Sequence, residues 1–401
     1  MARLRTLLFV ACSPAALGAC NSAAPGAAVP AAVAPVEYTL TAQIAAGSEV
    51  ERCKFVRAPA EGLFINKDEI TYTPGSHHVL LYETSYTDVP TKNDDGVAVD
   101  TSGVFDCSSG ATNGWSVTRV VSGSQNPSGD SSIIFPPDVA VHVPPNAVLL
   151  LNAHYINTST DVRDSNVSVK LHLIPEAQMK TEGDVLFLYN IFIKLNPQAK
   201  ADARMRCPVH KDITLTTAQS HMHARGVDYS AQVNGDAPFY TNAAWSDVPI
   251  ARLNSGEGIE IKAGSMIDYH CAYTNTLDHA IFQGPRTTDE MCMLIGSYYP
   301  VDRATSSCSA DPKRAPQTKT LGAEWVGSGT ATCAESAKCF QAAQTSDMKQ
   351  SFENIMGCVT ASDPAVSKEL SDALRCIFVS SQDGKDAQTV CASQIAACIV
   401  K

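Results

Sequence analysis

Ten histidines are present in the chain, and five of them stand in segments that could contribute to a metal site. His77 and His78 are adjacent in Ser76-His77-His78-Val79-Leu80-Leu81. His154 follows an apolar run in Asn152-Ala153-His154-Tyr155. His221 and His223 form a His-x-His pair in Ser220-His221-Met222-His223. On a strand, positions i and i+2 face the same way, so His221 and His223 would present two imidazoles together. Adjacent histidines face opposite ways on a regular strand. His77 and His78 can share a metal only if the backbone leaves the pleat there, and Pro74-Gly75 just upstream gives a reason for it to do so. Each signal is weak alone; their combination points to metal chemistry.

Four segments together resemble the copper type II, ascorbate-dependent monooxygenases, the family of dopamine β-monooxygenase and the peptidylglycine hydroxylase. They are His77 to Tyr82, Leu151 to Asn157, Gln219 to His223, and Asp289-Glu290-Met291-Cys292 followed by Tyr298-Tyr299-Pro300. They occur in the family's order at comparable spacing, across residues 37 to 310. The resemblance implies two copper ions per chain. His77, His78 and His154 would hold an electron-storing copper in the first domain. His221, His223 and Met291 would hold the oxygen-activating copper in the second, across a cleft. The donor chemistry agrees: imidazole serves both copper oxidation states, and a thioether favours the reduced one. The implied reaction hydroxylates a C–H bond of a small organic substrate with O2 and a reductant such as ascorbate.

The chain departs from the family where the peptide-amidating members hold a substrate carboxylate. The matching positions here are Gln219, Met293 and Ile295. A carboxylate would lose its charge-assisted partner there, so a glycine-extended peptide is not expected and a more apolar substrate is. Clear preference for aromatic amines over neutral compounds would contradict this. The other histidines, His142, His172, His210, His270 and His279, read as structural. Only His270, beside Cys271, could support a ligand.

The elements around these residues read as β. Tyr38 to Ile44, Val167 to Leu173 and Ile259 to Lys262 alternate apolar and polar residues, as half-buried strands do. Val148 to Leu151 and Val185 to Leu188 are continuous apolar runs that suit sandwich cores. Turn signals at Pro74-Gly75, Pro144-Pro145, Asn234-Gly235 and Gly284-Pro285 separate such runs. Residues 91 to 132, rich in Gly, Ser, Asp and Asn, read as a long loop region. The expected fold is mainly β: two successive antiparallel sandwiches over 37–177 and 178–315, of the jelly-roll type that the resemblance implies. A small α-helical module follows over 325–401. It reads as three or four short helices stapled by disulfides, since so small a unit has little core.

Fourteen cysteines fit an oxidising compartment. Six lie in the main body and six in the tail, besides Cys12 and Cys20. Cys271–Cys292 and Cys207–Cys308 resemble family disulfides and leave Cys53–Cys107 as the third pair. None of these shows a Cys-x-x-Cys zinc spacing. The six tail cysteines allow 15 pairings. Residues 1–20 read as a secretory signal ending in a lipobox-like Leu17-Gly18-Ala19-Cys20. Residues 21–36 read as an Ala/Pro-rich tether. The expected location is the bacterial cell envelope, with the membrane reached only through a lipid on Cys20. A net charge of −11 argues against a nucleic-acid partner. Two rival readings remain: a non-catalytic copper-binding lipoprotein, and a tail that docks an unknown partner with the sandwiches as scaffold.

Overall fold

The computed structural model describes residues 33–126, 129 and 132–400. The expected signal and most of the tether lie outside these residues. No helix among the described residues is long and apolar enough to cross a membrane.

The chain is mostly β, and its alternating segments form strands at the expected places. In the first sandwich one sheet runs Val104–Asp106, Glu49–Arg57, Val148–Ile156, Ser76–Thr84, Val117–Ser124 in spatial order. It packs on a second sheet of Val36–Ile44, Arg163–Leu173, Leu63–Tyr72 and Val139–Val143. The fully apolar run Val148–Leu151 is central in the first sheet and wholly buried, as a strand covered on both faces must be.

Val139–Val143 pairs in parallel with Thr181–Tyr189, the first strand of the second sandwich. One ten-stranded sheet therefore runs through both halves. The second sandwich is completed by a sheet of Tyr240–Asn242, Gly226–Val233, Met266–Asn275, Ala199–Pro208 and Glu324–Val326. Each sandwich has its own apolar core. The joint between them is also ionic. Arg119 of the first sandwich binds Glu83 at 2.7 Å and Asp184 of the second at 2.8 Å, and Arg303 binds Asp184 at 2.5 Å.

The region read as a long loop holds a buried strand, Val117–Ser124, paired with Ser76–Thr84. Its small residues serve close packing: a Cβ on Gly123 would strike the Leu80 side chain. Composition that suggests a loop can equally mark a close approach of backbones.

Among the described residues the tail contains five α-helices, one more than the three or four expected: Cys333–Ala343, Met348–Thr360, Ser367–Gln382, Ala387–Val390 and Ala392–Ile399. Disulfides Cys333–Cys398, Cys339–Cys358 and Cys376–Cys391 tie them together. The module does not rest on disulfides alone. Met356, Val359, Leu370 and Leu374 join the core of the second sandwich. Trp325, fully buried, stacks edge-on against Phe192 at 4.7 Å and anchors this junction. In the main body the disulfides are Cys53–Cys107, Cys207–Cys308 and Cys271–Cys292, the pairs named above. This many disulfides suits an exported protein in an oxidising environment.

Candidate metal centre

Local backbone chemistry brings His77 and His78 together. Gly75 has φ +104°, a conformation that L side chains rarely adopt. Directly after it the pairing with Val148–Ile156 shifts register: Ser76 opposes Tyr155 and His78 opposes His154. His77 is the extra residue of this β-bulge, which re-aims its side chain. The His77 and His78 rings lie 5.3 Å apart, centre to centre. His78 and His154 are direct cross-strand partners with rings 5.1 Å apart. Sheet register thus fixes the positions of these three histidines.

The second set is held differently. His221 ends the strand Thr217–His221 and pairs with Met293 of the neighbouring strand. His223 lies beyond the strand, where the buried Glu290 organises the backbone. Glu290 accepts the His223 N–H at 3.0 Å and the Arg225 N–H at 2.8 Å. The His221 and His223 rings are 5.2 Å apart. Met291 precedes Cys292, whose bond to Cys271 fixes the chain, and Tyr273 donates its hydroxyl to the Met291 carbonyl at 2.6 Å. Met291 lines a cavity with His78 and His221.

All five histidines converge. The expected cleft between two separate ligand sets is not present at the rings. His77 is 5.0 Å from His221 of the second sandwich and 5.4 Å from His154 of its own. One ring nitrogen each from His77, His78 and His221 lie within 4.8 Å of one another. The cause is cross-linking of the two sandwiches at this point. Gln125 of the first accepts from His221 Nδ1 and donates to the Ser220 carbonyl at 2.9 Å. Glu49 of the first accepts from Thr287 of the second through its N–H at 2.7 Å and its hydroxyl at 2.9 Å.

Burial keeps the His77, His78, His221 and His223 rings neutral. Burial, and then the neighbouring imidazoles, push His77, His78 and His221 well below the ordinary histidine value. Burial brings His223 down to about 4. Neutral imidazoles do not repel one another, and they have lone pairs for a metal. Burial opposes ionisation of Glu49, but hydrogen bonds from His154 and Thr287 hold its carboxyl down at about 2.

The second ring nitrogens are assigned by their acceptors. His154 Nε2 donates to Glu49 at 2.9 Å, His223 Nδ1 to the Asp289 carbonyl at 3.2 Å, and His221 Nδ1 to Gln125. These bonds fix tautomer and ring direction, as partners of metal-bound histidines do. The opposite nitrogens, His154 Nδ1 and His223 Nε2, are buried without a partner, as are His77 Nε2 and His78 Nδ1. A buried unsatisfied polar atom costs about 1–3 kcal/mol, so four at one place are evidence of a missing ligand. A donor set of imidazoles, with a thioether on the wall of the same cavity, fits copper in either oxidation state.

Sequence reasoning did not find Gln125, Glu49 or Trp245, whose ring lies 6.0 Å from His77. No local pattern marks them, since each reaches the cluster from a distant segment. The other histidines play no part in the cluster. His142 stacks on Phe64, His172 meets Glu69, and His279 meets Asp278. His210 is exposed. His270 bonds Asp202 at 2.8 Å on the outer face, away from any ligand.

Comparison with known proteins gives little. No family model matches the chain, and no curated protein matches it. Among solved structures it is similar to the major capsid protein P2 of bacteriophage PM2, at 9% identity and a TM-score of 0.28, covering 67% of this chain and 100% of that one. It is also similar to a peptide-N(4)-(N-acetyl-β-D-glucosaminyl) asparagine amidase, at 11% identity and a TM-score of 0.27, covering 66% of this chain and 97% of that one. Neither similarity carries an argument at such scores.

Proposed function

We propose that this chain is a copper-dependent monooxygenase that hydroxylates a C–H bond of an organic substrate, using O2 and a one-electron reductant such as ascorbate. One observation carries the reading. Five buried histidines converge beside a cavity that Met291 also lines. His77, His78 and His154 would hold one copper, and His221, His223 and Met291 the other. Bound copper would supply one-electron redox chemistry and oxygen activation. In balance, one oxygen atom enters the substrate C–H bond. The other leaves as water, with two electrons from the reductant and two protons.

The protein's own residues do the rest. Glu49, Gln125 and the Asp289 carbonyl orient the rings and leave one nitrogen of each free. Trp245 and the two sandwiches exclude water from the cluster. The cavity beside His78, His221 and Met291 holds the substrate. The finer placement, a lipoprotein anchored through Cys20 to the bacterial cell envelope, belongs to the same proposal.

A second reading is a non-catalytic copper-binding lipoprotein. The compact arrangement of His77, His78 and His221, which could hold a single ion, favours it. Oxygen uptake by copper-loaded protein with ascorbate separates the two, across neutral aromatic, aliphatic and amine compounds. Uptake matched by hydroxylated product is expected. Bound copper with no uptake for any compound supports the binder instead.

A further inference from the structure

The cavity beside the histidines extends to the C-terminal module. Its volume is about 850 Å³, and its wall includes Phe352 and Phe378 from the helices Met348–Thr360 and Ser367–Gln382. A cavity of ~150 Å³ already accommodates benzene. This one is larger than a single-ring substrate needs and lies within the usual range of small-molecule sites.

The tail is built into this wall. Phe352 and Phe378 lean on Phe192 of the second sandwich at 6.0 and 6.4 Å. Arg375 donates to the Leu321 carbonyl at 2.7 Å, and Glu324–Val326 is a strand of the second sandwich. The module therefore presents its two phenyl rings from a fixed position.

The charges of the wall are mostly spent on each other. Arg119 and Arg303 are paired with Glu83, Glu182 and Asp184. Glu51 accepts from Asn152 Nδ2 at 2.8 Å, and burial pushes its carboxyl up, so it offers little to an amine. Lys319 is different. It lines the cavity, and its ammonium donates to the Val117 carbonyl at 3.2 Å but forms no ion pair among the described residues. Burial lowers its pKa, the mark of an ammonium short of partners.

We infer that the tail and the segment before it form a recognition wall for a large, mostly apolar substrate carrying one acidic group. Phe352 and Phe378 contact the apolar body, and Lys319 binds the acid. The inference rests on the proposed oxygenase reading for what happens next to the bound molecule, but not for the binding itself. It also assigns the tail to the active chamber and not to a docking partner.

Equilibrium binding to the full folded chain without added copper tests it, followed by fluorescence. The probes are 1-pyrenebutyrate, its neutral analogue 1-pyrenebutanol and the amine 1-pyrenebutylamine. The acid is expected to bind about tenfold more tightly than the alcohol, and the amine most weakly. Lys319→Met should abolish the preference while leaving the alcohol's affinity intact, which also shows that the variant is folded. Lys319→Arg should restore it. Phe378→Leu and Phe352→Leu should each weaken acid and alcohol alike by about threefold. Equal affinity for acid and alcohol in the wild type, or tightest binding of the amine, overturns the inference. So does a Lys319→Met protein that keeps the preference. Binding as expected with no oxygen uptake would sink the oxygenase reading alone. Oxygen uptake with wild-type kinetics in both Phe variants, and unchanged probe affinity, would sink the inference alone.

Discussion

His77, His78 and His154 sit inside paired strands, whereas His221 is the last residue of its strand and His223 and Met291 lie outside strands altogether. The first set is placed by sheet register, with one bulge to turn His77. The second is placed by a buried carboxylate, Glu290, a disulfide, Cys271–Cys292, and an amide, Gln125, lent by the other sandwich. Register resists adjustment, because moving one residue moves its whole strand. Loop ligands held by a few hydrogen bonds can shift by small steps. Met291, from this second set, is also a wall residue of the large cavity. Under the proposed function, the first set would hold its copper in a fixed frame and the second would hold the copper that faces oxygen and substrate.

The largest effect should come from breaking the joint that holds the two sets together. Asp184→Asn leaves Arg119 and Arg303 without their shared carboxylate. It should cost about 3–5 kcal/mol in urea unfolding; a cost below 1 kcal/mol would show that the joint is not structural. The same group sets an acid limit. Burial alone would raise the Asp184 carboxyl, but the Arg119 and Arg303 charges override it and hold it below the usual range. Its folded value lies below its unfolded one. The stabilisation is therefore complete above the unfolded value, near about 3.9, and is lost as pH falls through the depressed one. Stability measured against pH should lose this acid component in Asp184→Asn; identical profiles would contradict the assignment.

Next is the proposed soft ligand. Met291→Ala should lower ascorbate-driven oxygen uptake by more than the roughly 10–100-fold that loss of an outer partner costs, while copper stays on the first set. Unchanged turnover would refute the role of Met291. Gln125→Ala should fall in that 10–100-fold range for copper affinity at the second set, with the first set unaffected. Glu49→Gln keeps a hydrogen-bond acceptor for His154, so its effect on the first set should be the smallest. If Glu49→Gln weakens copper more than Gln125→Ala does, the contrast between a rigid and an adjustable set is reversed.

Much of this was legible in the sequence. Alternation and turn residues located the strands, because period-two burial leaves a direct trace. The histidine pairs stood out because metal ligands are few and chemically distinct. Pro74-Gly75 even announced the break in the pleat that His77 needs. The contacts that orient the rings were not legible. Gln125 meets His221 across 96 positions and Glu49 meets His154 across 105, and nothing local encodes either. The strand Val117–Ser124 was hidden because Gly and Ser signal loops as readily as tight sheet packing. In the tail, Leu370 and Leu374 are four apart and form an apolar stripe on the helix Ser367–Gln382. A stripe does not say what covers it, and here the second sandwich does.

The convergence of all five histidines makes copper stoichiometry the most direct test of two distinct sets. Copper per chain should be measured at equilibrium in the wild type, in His154→Ala and in His223→Ala. Two ions in the wild type and one in each variant are predicted, with the remaining ion held by the intact set. One ion in the wild type, lost in both variants, would mean a single shared centre and would contradict the account.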